Sequence, residues 1–127
     1  MPRILSLDAE PEILALLHTI IQHIGYEHLY TTSNEQALDL LRSGNIDLFT
    51  QNIMRCHTNG CEFYQLMQNS PDLKHIPVLI ISSLDPIDLP ASCSEIITHL
   101  YPQHYITMPF SPKKLKNAIK HTLNQVT

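Results

Sequence analysis

A doubly wound α/β sheet, parallel and covered by helices on both faces, is the fold class this sequence predicts. Three observations point to it. Short apolar runs alternate with longer segments of 3.6-residue periodicity, the pattern of repeated βα units. Helix-starting and helix-stopping residues stand between those segments at five places. The run Pro-Val-Leu-Ile-Ile-Ser at 77–82 is apolar at successive positions, as a central parallel strand buried on both faces must be.

Each element follows in order. Residues 3–7 read as a first strand, ended by the acidic turn Asp8-Ala9-Glu10. Pro11 suits the first position of a helix, where its missing N–H is not needed. That helix lines up Ile13, Leu16, Leu17, Ile20 and Ile24 on one face and stops at Gly25. A short second strand is expected at 28–32. Ser33 and Gln36 form a capping box for a second helix whose inward face is Ala37, Leu38, Leu40 and Leu41, closed by Gly44. Residues 47–52 make a third strand and 60–69 a third helix packing Phe63, Leu66 and Met67. After the fourth strand, Pro86 and Pro90 break the pattern, so a helix is placed only at 91–100. Residues 104–107 are the fifth strand. Ser111 caps a last helix with Pro112 at its first position, burying Leu115, Ile119 and Leu123.

With 127 residues the chain is expected to be a single domain, residues 1–127, with enough surface to bury a proper core. Only 16% of residues are charged, which leaves an unusually neutral surface. The net charge is −4, yet Lys113, Lys114, Lys116 and Lys120 crowd the last helix. Such a basic helix on an acidic chain suits an acidic protein partner. No basic stripe continues elsewhere, which argues against nucleic acid. No stretch approaches the roughly 18 apolar residues that span a bilayer, and Met1-Pro2-Arg3 leads into a strand without a secretory pattern. Three cysteines, Cys56, Cys61 and Cys93, are an odd number and argue against a disulfide framework. A cytoplasmic location is therefore expected.

In an open parallel sheet the functional crevice lies beyond the carboxyl ends of the strands. Those ends carry Asp8, Asn52, Ser82 and Met108. The four positions, with segments 3–12, 34–44 and 75–82 and the run Tyr105-Ile106-Thr107-Met108-Pro109-Phe110-Ser111, resemble the response-regulator receiver family over nearly the whole chain. The resemblance implies the CheY-like, flavodoxin-like (βα)5 fold with strand order 2-1-3-4-5, and a role in bacterial two-component signalling. In that family two acids after the first strand hold Mg²⁺, and an aspartate ending the third strand accepts a phosphoryl group. A Ser or Thr ending the fourth strand and a Lys ending the fifth contact its oxygens. Carried over residue by residue, the first acid is Asp8, the second position is Ala9 and the acceptor position is Asn52. The hydroxyl is Ser82, the lysine position is Met108, and the aromatic that reports switching is Tyr105.

The departures have chemical consequences. An amide has no anionic oxygen with which to form an acyl phosphate. Ala9 offers Mg²⁺ no hard ligand. Met108 is a neutral thioether and balances no charge. The changes agree with one another, because the cations serve only to offset carboxylates that are gone. Read without the family, Asp8 suits a helix cap or a bond to loop amides, Glu10 a solvated helix-start acid, Ser82 a bond to Asn52 or water, and Met108 core filling. Thr50 and Gln51 are polar where the family's third strand is apolar, and a buried Gln51 needs partners. The loop after Asn52 matches the family only at Gly60. The stretch from Ser82 to Met108 runs about one helical turn longer than usual, with Tyr101-Pro102 in place of Gly-Ala.

The expected function is that of an atypical receiver, a phosphorylation-independent protein-interaction module and not an enzyme, binding a signalling component or itself. The alternative is a phosphorylatable receiver with a relaxed or different acceptor. No cofactor is expected. The loop after the first strand lacks the Gly, Ser or Thr that would cradle a small-molecule phosphate, and Cys56, His57 and Cys61 lack the fourth ligand a zinc site needs. Candidate interaction surfaces are residues 91–123 and the first helix, which has no Asp, Glu, Lys or Arg between Ile13 and Tyr26.

Overall fold

The computed structural model describes residues 1–53, 59–100 and 104–124. Five parallel strands, β1 (Arg3–Leu7), β2 (Glu27–Thr31), β3 (Leu48–Ile53), β4 (Val78–Ser82) and β5 (Tyr105–Thr107), form one sheet in the order β2-β1-β3-β4-β5. Helices α1 (Pro11–Ile24) and α5 (Pro112–Asn124) cover one face. Helices α2 (Asn34–Ser43), α3 (Asn59–Gln68) and α4 (Ser94–His99) cover the other. The expected topology and strand order are those observed.

The period-2 geometry of the strands divides the core in two. From β4, Leu79 and Ile81 join Ile4, Leu48 and Ile106 against Leu17, Ile20, Ile21, Leu115 and Ile119. Val78 and Ile80 join Leu5, Phe49 and Ile53 against Ala37, Leu41, Phe63 and Met67. Each such side chain contributes about 1.5–3 kcal/mol on burial, so an Ile80→Ala cavity would remove about 2–5 kcal/mol.

Local signals set the ends of the helices. Gly25 ends α1 at φ +103°, a left-handed conformation that strains any residue with a Cβ. Ser33 accepts from the Gln36 N–H and opens α2. The Gln36 side chain does not complete the box: its Oε1 accepts from Thr31 Oγ1 instead. Ser111 accepts from the Lys114 N–H and opens α5 as expected.

Three expectations need correction. Leu16 and Leu66, assigned to inward faces, are 48% and 42% exposed. Leu14 and Ile21 on α1 and Tyr64 on α3 are buried instead, so each helix covers a different edge of its apolar face from the one periodicity alone suggests. The single helix expected at 91–100 is instead a 3₁₀ turn at Ala91–Cys93 leading into the six-residue α4, with a further 3₁₀ turn at Pro86–Asp88. Asp85 caps that first turn through the Ile87 N–H.

Candidate functional site

At the carboxyl edge of the sheet, β1 and β3 are adjacent, with Leu7 level with Gln51. One residue further along each strand, Asp8 and Asn52 come together, and the Asn52 amide Nδ2 donates to Asp8 Oδ2 at 2.8 Å. Asp8 Oδ1 accepts from the Glu10 N–H at 2.8 Å. Of the roles open to Asp8 from sequence alone, the bond to a loop amide is therefore the observed one. Asp8 is only 3% exposed, and burial raises its carboxyl above the usual carboxylate range, an effect opposed by these two hydrogen bonds. Ala9 is exposed.

Ser82 ends β4 opposite Ile53. The bond to Asn52 considered for it does not form. Its hydroxyl donates to the Ile53 carbonyl at 2.6 Å and accepts from the Leu84 N–H at 3.0 Å, entirely inside the protein. Met108 follows β5, and its N–H donates to the Ser82 carbonyl at 2.8 Å. Its partly buried side chain packs against the α1/α5 half of the core, the filling role open to it from sequence. Tyr105 is 9% exposed, and its hydroxyl donates to the Leu84 carbonyl at 2.7 Å. Asp8, Asn52, Ser82 and Met108 thus stand on four neighbouring strand ends, those of β1, β3, β4 and β5, linked by side chain or backbone.

The partners of Thr50 lie in a buried polar chain that sequence reading missed. Thr50 Oγ1 donates to Ser6 Oγ at 2.6 Å. Ser6 Oγ lies 2.8 Å from His28 Nε2, and His28 Nδ1 lies 3.0 Å from His18 Nδ1 on α1. One direction of donation satisfies every group: Thr50 to Ser6, Ser6 to His28 Nε2, His28 Nδ1–H to His18. Tyr30 lies against both rings, at 4.9 Å from His18 and 5.6 Å from His28 between centroids. Burial, then the neighbouring His18, lowers the pKa of His28 from 6.5 to about 4, so it is neutral at ordinary pH. A signal was present: Ser6, Thr50 and His28 are polar residues on one face of three adjacent strands. Gln51 is buried on the opposite face.

The cysteine expectation is also corrected. Cys61 near the start of α3 and Cys93 at the end of the second 3₁₀ turn form a disulfide, with Cα atoms 5.2 Å apart. An odd count excludes complete pairing, not a single pair, and only the packing of α3 against this turn brings the two together. Cys56 and His57, the other members of the loose cluster considered for zinc, lie outside the described residues, as do the 54–58 loop and Tyr101-Pro102. Among the described residues no helix is long and apolar enough to cross a membrane.

The comparisons with known proteins agree with this architecture. The response regulator receiver domain profile matches residues 4–120. The chain is 28% identical over 126 residues to a probable transcriptional regulator ycf27 of Porphyridium aerugineum, covering 98% of this chain and 49% of that protein. It is 31% identical over 113 residues to the heme response regulator HssR of Staphylococcus epidermidis, covering 87% of this chain and 47% of that one. It thus spans about half the length of these curated relatives. Among solved structures, the receiver domain of an HD domain-containing protein from Pseudomonas fluorescens superposes with a TM-score of 0.82 at 22% identity, covering 98% of this chain and 96% of the other. A CheY-like receiver from Methanospirillum hungatei gives 0.81 at 19% identity, covering 99% and 96%. Strand order, strand-end geometry and a profile match over most of the length lead to one conclusion: this chain belongs to the response regulator receiver domain family.

Proposed function

We propose that this domain is a phosphorylation-independent receiver, a protein-interaction module of two-component signalling that works in the cytoplasm. The observation that carries the reading is the Asn52 amide donating to Asp8 at the strand end where the family has its acceptor. A carboxamide is not the nucleophile that forms an acyl phosphate. Asp8 engages both of its oxygens with neutral donors, Glu10 N–H and Asn52 Nδ2. With Ala9 beside it, this donor set does not fit Mg²⁺, which requires several hard oxygen ligands. Ser82 turns its hydroxyl inward, and Met108 brings no positive charge. Asp8, Ala9, Asn52, Ser82 and Met108 are on this reading a vacated phosphoacceptor pocket, with Tyr105 held inward beside it.

A protein partner suits the surface. A groove of about 910 Å³ runs between α1 and α5. Lys113, Lys116 and Lys120 line one wall, and Thr19, Gln22 and His23 the other. An apolar floor with a cationic rim favours an acidic amphipathic protein segment. The test of the phosphorylation-independent reading is direct. After incubation with acetyl phosphate and Mg²⁺, intact mass and hydrodynamic radius should be unchanged. Gain of one phosphoryl group at any carboxylate would overturn it.

A further inference from the structure

Outside the strand ends, the fold brings two cysteine side chains together. Cys61 and Cys93 are 32 positions apart in sequence, and both are buried, at 2% and 1% exposure. Their Cα separation of 5.2 Å falls within the range of about 4.4–6.8 Å that a disulfide spans without moving the backbone. The link joins α3, which rests on β3, to the stretch between β4 and β5. Among its described residues, that stretch holds two three-residue 3₁₀ turns and the six-residue α4. A helix of six residues is far shorter than one that holds by itself. Leu89, Ile96 and Leu100 anchor the segment by burial, and the Cys61–Cys93 bond is its covalent anchor.

In a reducing compartment a disulfide is usually transient, either catalytic or redox-sensing. We propose that Cys61 and Cys93 are a reversible thiol–disulfide pair that sets how firmly residues 83–100 are held against α3. This goes beyond the phosphorylation-independent reading and rests only on the cytoplasmic location proposed with it. The oxidant is a small-molecule disulfide such as oxidised glutathione. One cysteine thiolate attacks a glutathione sulfur, forming a mixed disulfide and releasing one glutathione thiolate. The second thiolate attacks the protein sulfur of that mixed disulfide, closing Cys61–Cys93 and releasing the second glutathione. The protein loses two electrons, the reagent gains two, and the two cysteine protons pass to the two glutathiones. Burial confines the exchange to moments when 83–100 opens locally, which a short, weakly anchored segment does far more readily than the sheet.

The experiment uses the full chain carrying Cys56→Ser, so that no third thiol competes, and the unsubstituted chain beside it. Each is equilibrated under native conditions with oxidised glutathione or dithiothreitol, alkylated, and read by intact mass and peptide mapping. Hydrogen exchange is then measured on both forms. The expected result is full interconversion, a link mapping to Cys61–Cys93, and exchange in 83–100 roughly tenfold or more faster in the reduced form, with α1 unchanged. Cys61→Ala with Cys93→Ala should reproduce the reduced pattern whatever reagent is present. The oxidised–reduced comparison needs neither of those substitutions, so it decides the matter even if the double variant does not fold. Thiols that stay free in oxidised glutathione, a bond that dithiothreitol opens only on global unfolding, or identical exchange in the two forms would each overturn the proposal.

Discussion

Two polar clusters are built around strands β1 and β3, and they differ in what holds them. The strand-end cluster of Asp8, Asn52 and Ser82 sits at the rim of the sheet. Its groups bond to one another or to nearby backbone, and its one carboxyl is raised in pKa by burial. The chain Thr50–Ser6–His28–His18 lies under α1, with Ser6 and Thr50 almost wholly buried and a neutral imidazole in the middle. The contrast teaches where this receiver's stability is exposed to polar chemistry. At the rim, Asn52 and Ser82 are neutral and Asp8 is the one carboxyl among them, so there is little charge to balance and single changes have modest effects. In the interior, polar groups replace apolar packing, and among the described residues each is linked to the next by a hydrogen bond. Breaking one link leaves a buried group unsatisfied.

The largest test of that contrast is acid. Folding favours neutral His28, so between pH 6.5 and about 4 the unfolded chain binds the extra proton. Stability is fully present above pH 6.5 and is lost as pH falls toward 4, by at most about 3 kcal/mol. Urea melts across that window should show the decline, and His28→Gln should flatten it. Asp8 acts in the opposite sense: its raised carboxyl adds stability as pH falls through its folded value, which partly offsets the loss.

Next in size is Ser6→Ala, which removes the link shared by Thr50 and His28. A loss of about 2 kcal/mol in chemical denaturation is expected, with the fold intact by circular dichroism. A loss under about 0.5 kcal/mol would show that the interior chain is no more fragile than the rim.

At the rim, Asn52→Asp alone sets a second carboxylate against Asp8 where the present contact is 2.8 Å. The expected loss at neutral pH is about 1 kcal/mol, with no gain of Mg²⁺ affinity. Adding Ala9→Asp and Met108→Lys supplies the missing ligand and cation. The triple variant should bind Mg²⁺ by calorimetry and recover the loss when the metal is present.

The smallest effect belongs to Asp8→Asn. The Asn side chain keeps an oxygen for Glu10 N–H, and its amide can donate to Asn52 Oδ1, which meets no donor among the described residues. Removing a buried charge should stabilise by less than about 1 kcal/mol at pH 7, a difference that shrinks in acid as wild-type Asp8 protonates.

The sequence alone determined the five βα units and the chemistry of the strand ends. Helix caps, strand runs and stop glycines act within a few residues, and Gly25, Ser33 and Ser111 end or start their helices where they were read to. Asn52, Ala9 and Met108 carry their chemical consequence in their side-chain types, whatever surrounds them. Tertiary structure alone decided the rest. Ser6 meets His28 across 22 positions and Thr50 across 44, contacts fixed by strand register and not by any local pattern. Leu16 and Leu66 follow helical periodicity yet face solvent, because the docking of a helix on its sheet, which periodicity does not encode, selects which edge of an apolar stripe is covered. Cys61 and Cys93 meet only because the turns after β4 pack on α3, and a count of cysteines holds no information about distance.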